Sequence, residues 1–392
     1  MVPQFIPFIA KTTATLKALK IFNGGLQNYG FLPSYISSRH KKYETKDSRT
    51  LETENPCKQF TTVAKLFNGV SKKTYGTSNK VSVVGLDEIG IATVFALLAQ
   101  DITDNVCLVD LDEDLLKGEQ MDLEMGSVYH NNAKIISSKD PLVTSDSKIC
   151  IIVTGTYKGR DEPEHVYVGR SVSIMKAIVP PLVKYSPNTI LIVASDPVDI
   201  LSYVTWKLSG FPKNRVMGTG TLLDTARFRF LLSQRMGISP ENCHGYIIGS
   251  HGGNSVPVWS SVNIAGVPLK DISPRSGSEK DGENWQELHS EVVKCDEVVR
   301  SLKGYSAWSL ALAIAHLCET IFSNSNRVLP VSTYVQGEHA IRDDVFLSLP
   351  CVIGENGVTD ILRQPLTDME STLLRRCAEE VAGLQEPAAK LI

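Results

Sequence analysis

Cysteine in any ligand-like pattern is what this chain most plainly lacks. Its eight cysteines, from Cys57 to Cys377, include no CxxC pair and no histidine partner at metal-ligand spacing. That argues against a zinc site and against the disulfide framework of a secreted scaffold, leaving a reducing compartment as the default. An excess of either charge is missing as well: 40 Lys and Arg against 43 Asp and Glu leave a formal net charge of -3. Such a balance supplies no field for gripping nucleic acid or an anionic bilayer, so neither partner is expected. No window reads as the roughly 18 apolar residues of a membrane span. What is present is length, and 392 residues exceed what one hydrophobic core usually serves, so two domains are expected.

The sharpest local absence is of acid. The first 43 residues hold Lys11, Lys17, Lys20, Arg39, Lys41 and Lys42 but no Asp or Glu, and TTATLKALKIF within them has the spacing of a short amphipathic helix. Organelle transit peptides have this composition, so mitochondrial import is one reading and a cytoplasmic protein with a disordered tail is the other. Either way the segment is expected to lie outside the fold.

From Lys80 the pattern alternates. KVSVVG, NVCLVDLD, KICIIVTG and TILIVASD are short apolar runs of the kind buried on both faces of a parallel sheet, and helical stretches separate them. This predicts an α/β class with a Rossmann-type doubly wound parallel sheet. Right-handed crossovers then bring Gly85, Asp110, Gly155 and Asp196 to one crevice. Beyond about residue 215, helical and alternating segments mix, which predicts an α+β second domain. The phosphate loop after the first strand should read GxGxxG, where the middle glycine admits a diphosphate. Here Gly85-Leu86-Asp87-Glu88-Ile89-Gly90 puts Asp87 in that place. Two readings stay open: an adverse charge beside a dinucleotide, or a helix cap with no ligand. Asp110, twenty residues after Gly90, favours a cofactor, because an acid there accepts hydrogen bonds from an adenosine ribose.

The stretches SDPVDILSYVTWKLSGFPKNRVMGTG, LLDTARFRFL, HGYIIGSHGGNSVPVWSSVNIAGV, KGYSAWS and DDVFLSLPCVIGENGV resemble, in order and spacing, segments of the vertebrate-type L-lactate dehydrogenases, from Asn79 to about Gln385. The resemblance implies NAD as cofactor and hydride transfer between lactate and pyruvate. It implies a division into an extension (1-56), an oligomerisation arm (57-79), a dinucleotide-binding domain (80-218) and a substrate domain (219-392). It also implies a homotetramer, or a mixed tetramer with active relatives. His251 matches the acid/base histidine, Asp224 the aspartate that orients it, and Arg227 the arginine that grips the substrate carboxylate. A histidine suits a proton that must leave as the hydride leaves, and a planar guanidinium suits a carboxylate.

Other positions depart from the pattern. The mobile-loop arginine falls on Glu164, the substrate asparagine on Asp196, a cofactor-side threonine on Ser306, and the asparagine before the Leu-Asp of LLDTAR on Leu222; GEHGD has become GSHGG. Arg160 is a candidate replacement for the loop cation. Losing one preorganised group of this kind typically costs 100- to 1000-fold in rate. Efficient lactate turnover is therefore expected to fail. The alternatives are a catalytically silent subunit that keeps the fold to oligomerise, and a 2-oxo-diacid reductase in which Lys158 holds a second carboxylate.

Overall fold

The computed structural model describes residues 79-392 apart from 132, 155-160 and 279. In chain order the first half runs β1 (Val81–Val84), α1 (Glu88–Ala99), β2 (Asn105–Val109), α2 (Glu113–Met125), β3 (Lys134–Ser137), β4 (Ile149–Ile152), α3 (Glu164–Tyr185), β5 (Ile190–Val193), α4 (Val198–Ser209) and β6 (Val216–Gly218). These six strands are parallel and ordered β3-β2-β1-β4-β5-β6. Direction of winding reverses between β1 and β4, which opens a crevice at the carboxyl ends of those strands. Every residue of β1, β4 and β5 is buried, because helices cover both faces; hence unbroken apolar runs instead of alternation.

The second half comprises α5 (Leu222–Met236), the two-residue strands β7 (Cys243–His244), β8 (Ile247–Ile248), β9 (Val256–Pro257), β10 (Asn263–Ile264) and β11 (Val267–Pro268), then α6 (Leu269–Ile272), α7 (Gln286–Lys303), α8 (Trp308–Phe322), β12 (Arg327–Tyr334), β13 (Phe346–Gly354), β14 (Gly357–Ile361) and α9 (Asp368–Ala389). β12 pairs antiparallel with β6 through Ser332 and Gly218, so β12-β13-β14 extend the parallel sheet to nine strands.

Three apolar clusters hold these layers. One lies between the sheet and α1 and α8, another under α3, α4 and α9, and a third joins α5 to α7 through Phe228, Leu232, Trp259, Trp285, Leu288 and Val292. Phe228 is fully buried, its ring edge-on to Trp259 at 5.1 Å, and truncating such a residue typically costs roughly 3–5 kcal/mol. That cluster is the floor on which α5 presents Asp224 and Arg227. One expectation needs correcting: α3, at 22 residues and with an 18-residue window of mean hydropathy 1.3, is long and apolar enough to span a bilayer by length and composition. Its apolar face, including Val168, Val172, Met175 and Val179, is instead packed into the second cluster.

Candidate active site

The turn after β1 requires glycine twice. Gly85 has φ +99° and a Cβ there would sit 2.7 Å from the Thr154 nitrogen, while a Cβ on Gly90 would run into the Gly85 carbonyl oxygen. A close strand-to-helix turn is thus retained. Asp87, where the middle glycine was expected, is the N-cap of α1: its Oδ1 accepts hydrogen bonds from Ile89 N at 3.1 Å and Gly90 N at 2.9 Å. Burial raises its acid above the ordinary carboxylate range against those two bonds. At the end of β2, Asp110 accepts from Leu86 N at 2.8 Å and Leu111 N at 2.7 Å, which fixes the carboxylate beside the turn. Turn and acid therefore fit a dinucleotide, while the helix-end N–H groups that favour a diphosphate already have an anion.

On the substrate side, α5 carries Asp224, buried, and Arg227 three residues later. The Asp224 carboxylate accepts from His251 Nδ1 at 2.7 Å and lies 3.8 Å from the Arg227 guanidinium. The strand-end loop carrying His251 is pinned by a second buried acid, Asp199. It accepts from Ser250 Oγ at 2.8 Å, His251 N at 3.2 Å and Ser332 Oγ at 2.5 Å. Burial pushes the imidazole toward neutrality, but the Asp224 carboxylate, with Asp196 and Asp296 farther off, outweighs it and raises the histidine to about 10. His251 is consequently a standing proton donor at neutral pH, and its ring lines the cleft.

Arg227 is paired within the chain. Its Nη1 and Nη2 donate to Oδ2 and Oδ1 of Asp296 at 2.9 and 2.6 Å, a two-point grip, and only 10 % of the side chain is exposed. Ser306 Oγ donates to the same carboxylate at 2.9 Å, and His251 Nε2 lies 3.9 Å from it. The guanidinium beside it is the main reason the Asp296 acid is held down at about 2 despite burial. Arg227 and Ser306, expected from the resemblance to meet the substrate, thus both contact Asp296 in this structure. Asp296 was not singled out from the sequence, although a signal existed: Leu288 and Val292 are buried at i and i+4 on α7, and position i+8 holds an acid where the stripe calls for an apolar residue.

These groups border one cleft of about 550 Å³ at the crevice, lined by Asp87, Glu164, Asp196, His251, Asp296 and Ser306 among others, with Arg300 also on its wall. Glu164 is the first residue of α3 and Asp196 follows β5 with its side chain exposed. Asp296 faces the cleft; Arg227 and Asp224 lie behind it, and Gly85, Gly90 and Asp110 form the neighbouring turn. Leu222 is buried in the first apolar cluster. Gly155, Lys158 and Arg160 fall outside the described residues.

Residues 79–218 match the model of the lactate/malate dehydrogenase NAD binding domain, and residues 221–390 match that of the lactate/malate dehydrogenase alpha/beta C-terminal domain. The chain belongs to the lactate/malate dehydrogenase family. It is 48% identical to an L-lactate dehydrogenase of Petromyzon marinus over 316 residues, covering 81% of this chain and 95% of that one. It is also 47% identical to an L-lactate dehydrogenase A chain of Danio rerio over 326 residues (83% and 98%), and 48% identical to one of Python regius over 323 (82% and 97%). The family's NAD-binding half coincides with the six parallel strands, and NAD is the cofactor that the Gly85–Gly90 turn and Asp110 suit.

Proposed function

We propose that this chain is an NAD-dependent oxidoreductase of the lactate dehydrogenase type whose lactate–pyruvate turnover is strongly impaired. NAD, when bound, accepts or supplies the hydride. The chain's own part is the proton: His251 holds it on Nε2 toward the cleft, and Asp224 fixes the ring by accepting from Nδ1. The single observation that carries the impairment is the Arg227–Asp296 pair, which fills the carboxylate grip from within. Glu164 and Asp196 on the cleft wall, and Asp87 at the start of α1, add negative charge where both ligands are anionic.

Titrating NADH by fluorescence and assaying pyruvate reduction separates the readings. The proposal expects NADH binding weaker than in an active relative and pyruvate turnover reduced by 100-fold or more, on the order of one lost preorganised group. Ordinary turnover would overturn it, and no NADH binding at all would favour the silent-subunit alternative.

A homotetramer, or a mixed tetramer with active relatives, is also proposed. Support comes from exposed Met125, Val128 and Tyr129 clustered at the end of α2, an apolar patch suited to subunit contact. Light scattering that gives a monomer at all concentrations would contradict this. For residues 1-56, mitochondrial import and cytoplasmic retention are separated by fusing the segment to a fluorescent reporter and locating it in cells.

A further inference from the structure

We propose that Asp296 supplies, from within the chain, the carboxylate that a 2-hydroxy or 2-oxo acid would bring, so that the site takes a ketone or secondary alcohol bearing no acid group. This rests on the oxidoreductase reading above and names its substrate class.

Three contacts define the place Asp296 occupies. Both Arg227 N–H groups and the Ser306 hydroxyl converge on its two oxygens, and the acid/base nitrogen of His251 lies 3.9 Å away. Donors arranged this way describe a carboxylate seat beside a proton donor. A 2-oxo acid has to expel a carboxylate held in place on α7, whose effective molarity as an oriented intramolecular group far exceeds that of a millimolar solute. It then leaves that acid unpaired where only 28 % of its side chain is exposed. An uncharged carbonyl compound displaces nothing. Its oxygen needs only Nε2, which at 3.9 Å from Asp296 is beyond hydrogen-bond reach and remains open to the cleft.

Charge on the wall points the same way. Among the described residues bordering the cleft, the acids Asp87, Glu164, Asp196, Asp199 and Asp296, the last of them paired with Arg227 from behind, outnumber the cations Arg300 and His251, a balance that disfavours an acid and tolerates a neutral molecule. In the reduction, the carbonyl carbon accepts a hydride for which NADH is the source. The carbonyl oxygen takes the Nε2 proton of His251, and the products are the secondary alcohol, NAD+ and a neutral imidazole that is reprotonated from water. His251, raised to about 10, is charged for that step at neutral pH.

The test compares pyruvate with butane-2,3-dione, which replaces its carboxylate by an acetyl group, in the wild-type protein, Asp296→Ala and the size-conserving Asp296→Asn. The wild type is expected to reduce the dione with the higher kcat/KM, and either variant to shift the ratio toward pyruvate by about 100-fold or more, the usual scale for a charge pair in a buried grip. A cofactor-free readout accompanies it: oxamate should raise the Tm of the variants and leave the wild type unmoved. Preference for pyruvate in the wild type, an unchanged ratio in both variants, or a failure to reduce the dione while NADH is bound would each overturn the proposal. Equal oxamate shifts in wild type and variants would do so too. Failure to bind NADH would instead overturn the oxidoreductase reading, and the oxamate comparison would still decide whether Asp296 fills the seat.

Discussion

Two groups of N–H donors in this molecule are met by the chain's own carboxylates, by different routes. At the start of α1, the helix-end N–H groups are satisfied by Asp87, two and three residues away in sequence. At Arg227, the guanidinium is satisfied by Asp296, 69 residues away on another helix. The difference lies in what each closure rests on. A helix cap is local, worth about 1 kcal/mol, and leaves the cap side chain at the mouth of a turn that keeps its glycines. The Arg227–Asp296 pair is a long-range, two-point contact held by the packing of α5 on α7, and opening it strands a charge on each side. On the proposed reading the nucleotide side is the more easily reopened of the two, and the substrate side the harder.

The largest effect should come from the proton relay, which both closures leave intact. His251→Asn or Asp224→Asn is expected to cut reduction of an uncharged ketone by roughly 10²- to 10⁴-fold while leaving NADH affinity within error, measured by steady-state kinetics and fluorescence titration. Next, restoring Glu164→Arg, Asp196→Asn and Asp87→Gly together should give little pyruvate turnover while Asp296 remains. Adding Asp296→Ala to the three should raise kcat/KM for pyruvate by about 100-fold. Substantial recovery without the fourth change would break the contrast drawn between the two sites.

A smaller, graded effect concerns pH. Because His251 is raised to about 10, ketone reduction should hold steady through neutrality and fall as pH climbs through about 10. Alcohol oxidation, which needs neutral imidazole, should rise about tenfold per unit up to that value. The stability contributed by charged His251 is likewise complete below its unfolded value of 6.5 and is lost as pH rises through about 10, readable from urea midpoints across that window. The smallest effect belongs to Asp87. Asp87→Ser keeps a capping oxygen and removes charge, so NADH should bind several-fold tighter, about 1 kcal/mol, with Tm nearly unchanged; Asp87→Ala should lower stability by about 1 kcal/mol.

The same contrast explains how much was legible in the sequence. Strand, helix and strand around Gly85 could be read because each depends on near neighbours: β-branched runs, two glycines and a cap residue. The Asp224–Arg227 spacing was legible for that reason too, as i and i+3 on one helix. The joining of β12 to β6 rests on the single pairing of Ser332 with Gly218 and leaves no local mark in the sequence. Asp296 sits on a helix rich in charge, where an acid usually means a solvated face. Only the buried stripe of Leu288 and Val292 marked it as facing inward. His251, Glu164 and Asp196 were found through resemblance to a family, and that route reports what has changed in a known site without showing what has moved into it.

The most direct measurement is a double-mutant cycle of unfolding free energy on Arg227→Met and Asp296→Asn. If Asp296 closes the arginine in solution, each single change should destabilise by roughly 3 kcal/mol and the double change by clearly less than the sum, leaving about 2 kcal/mol of coupling. Strictly additive losses would mean that the two groups do not hold one another, and the account of a carboxylate seat filled from within would be contradicted.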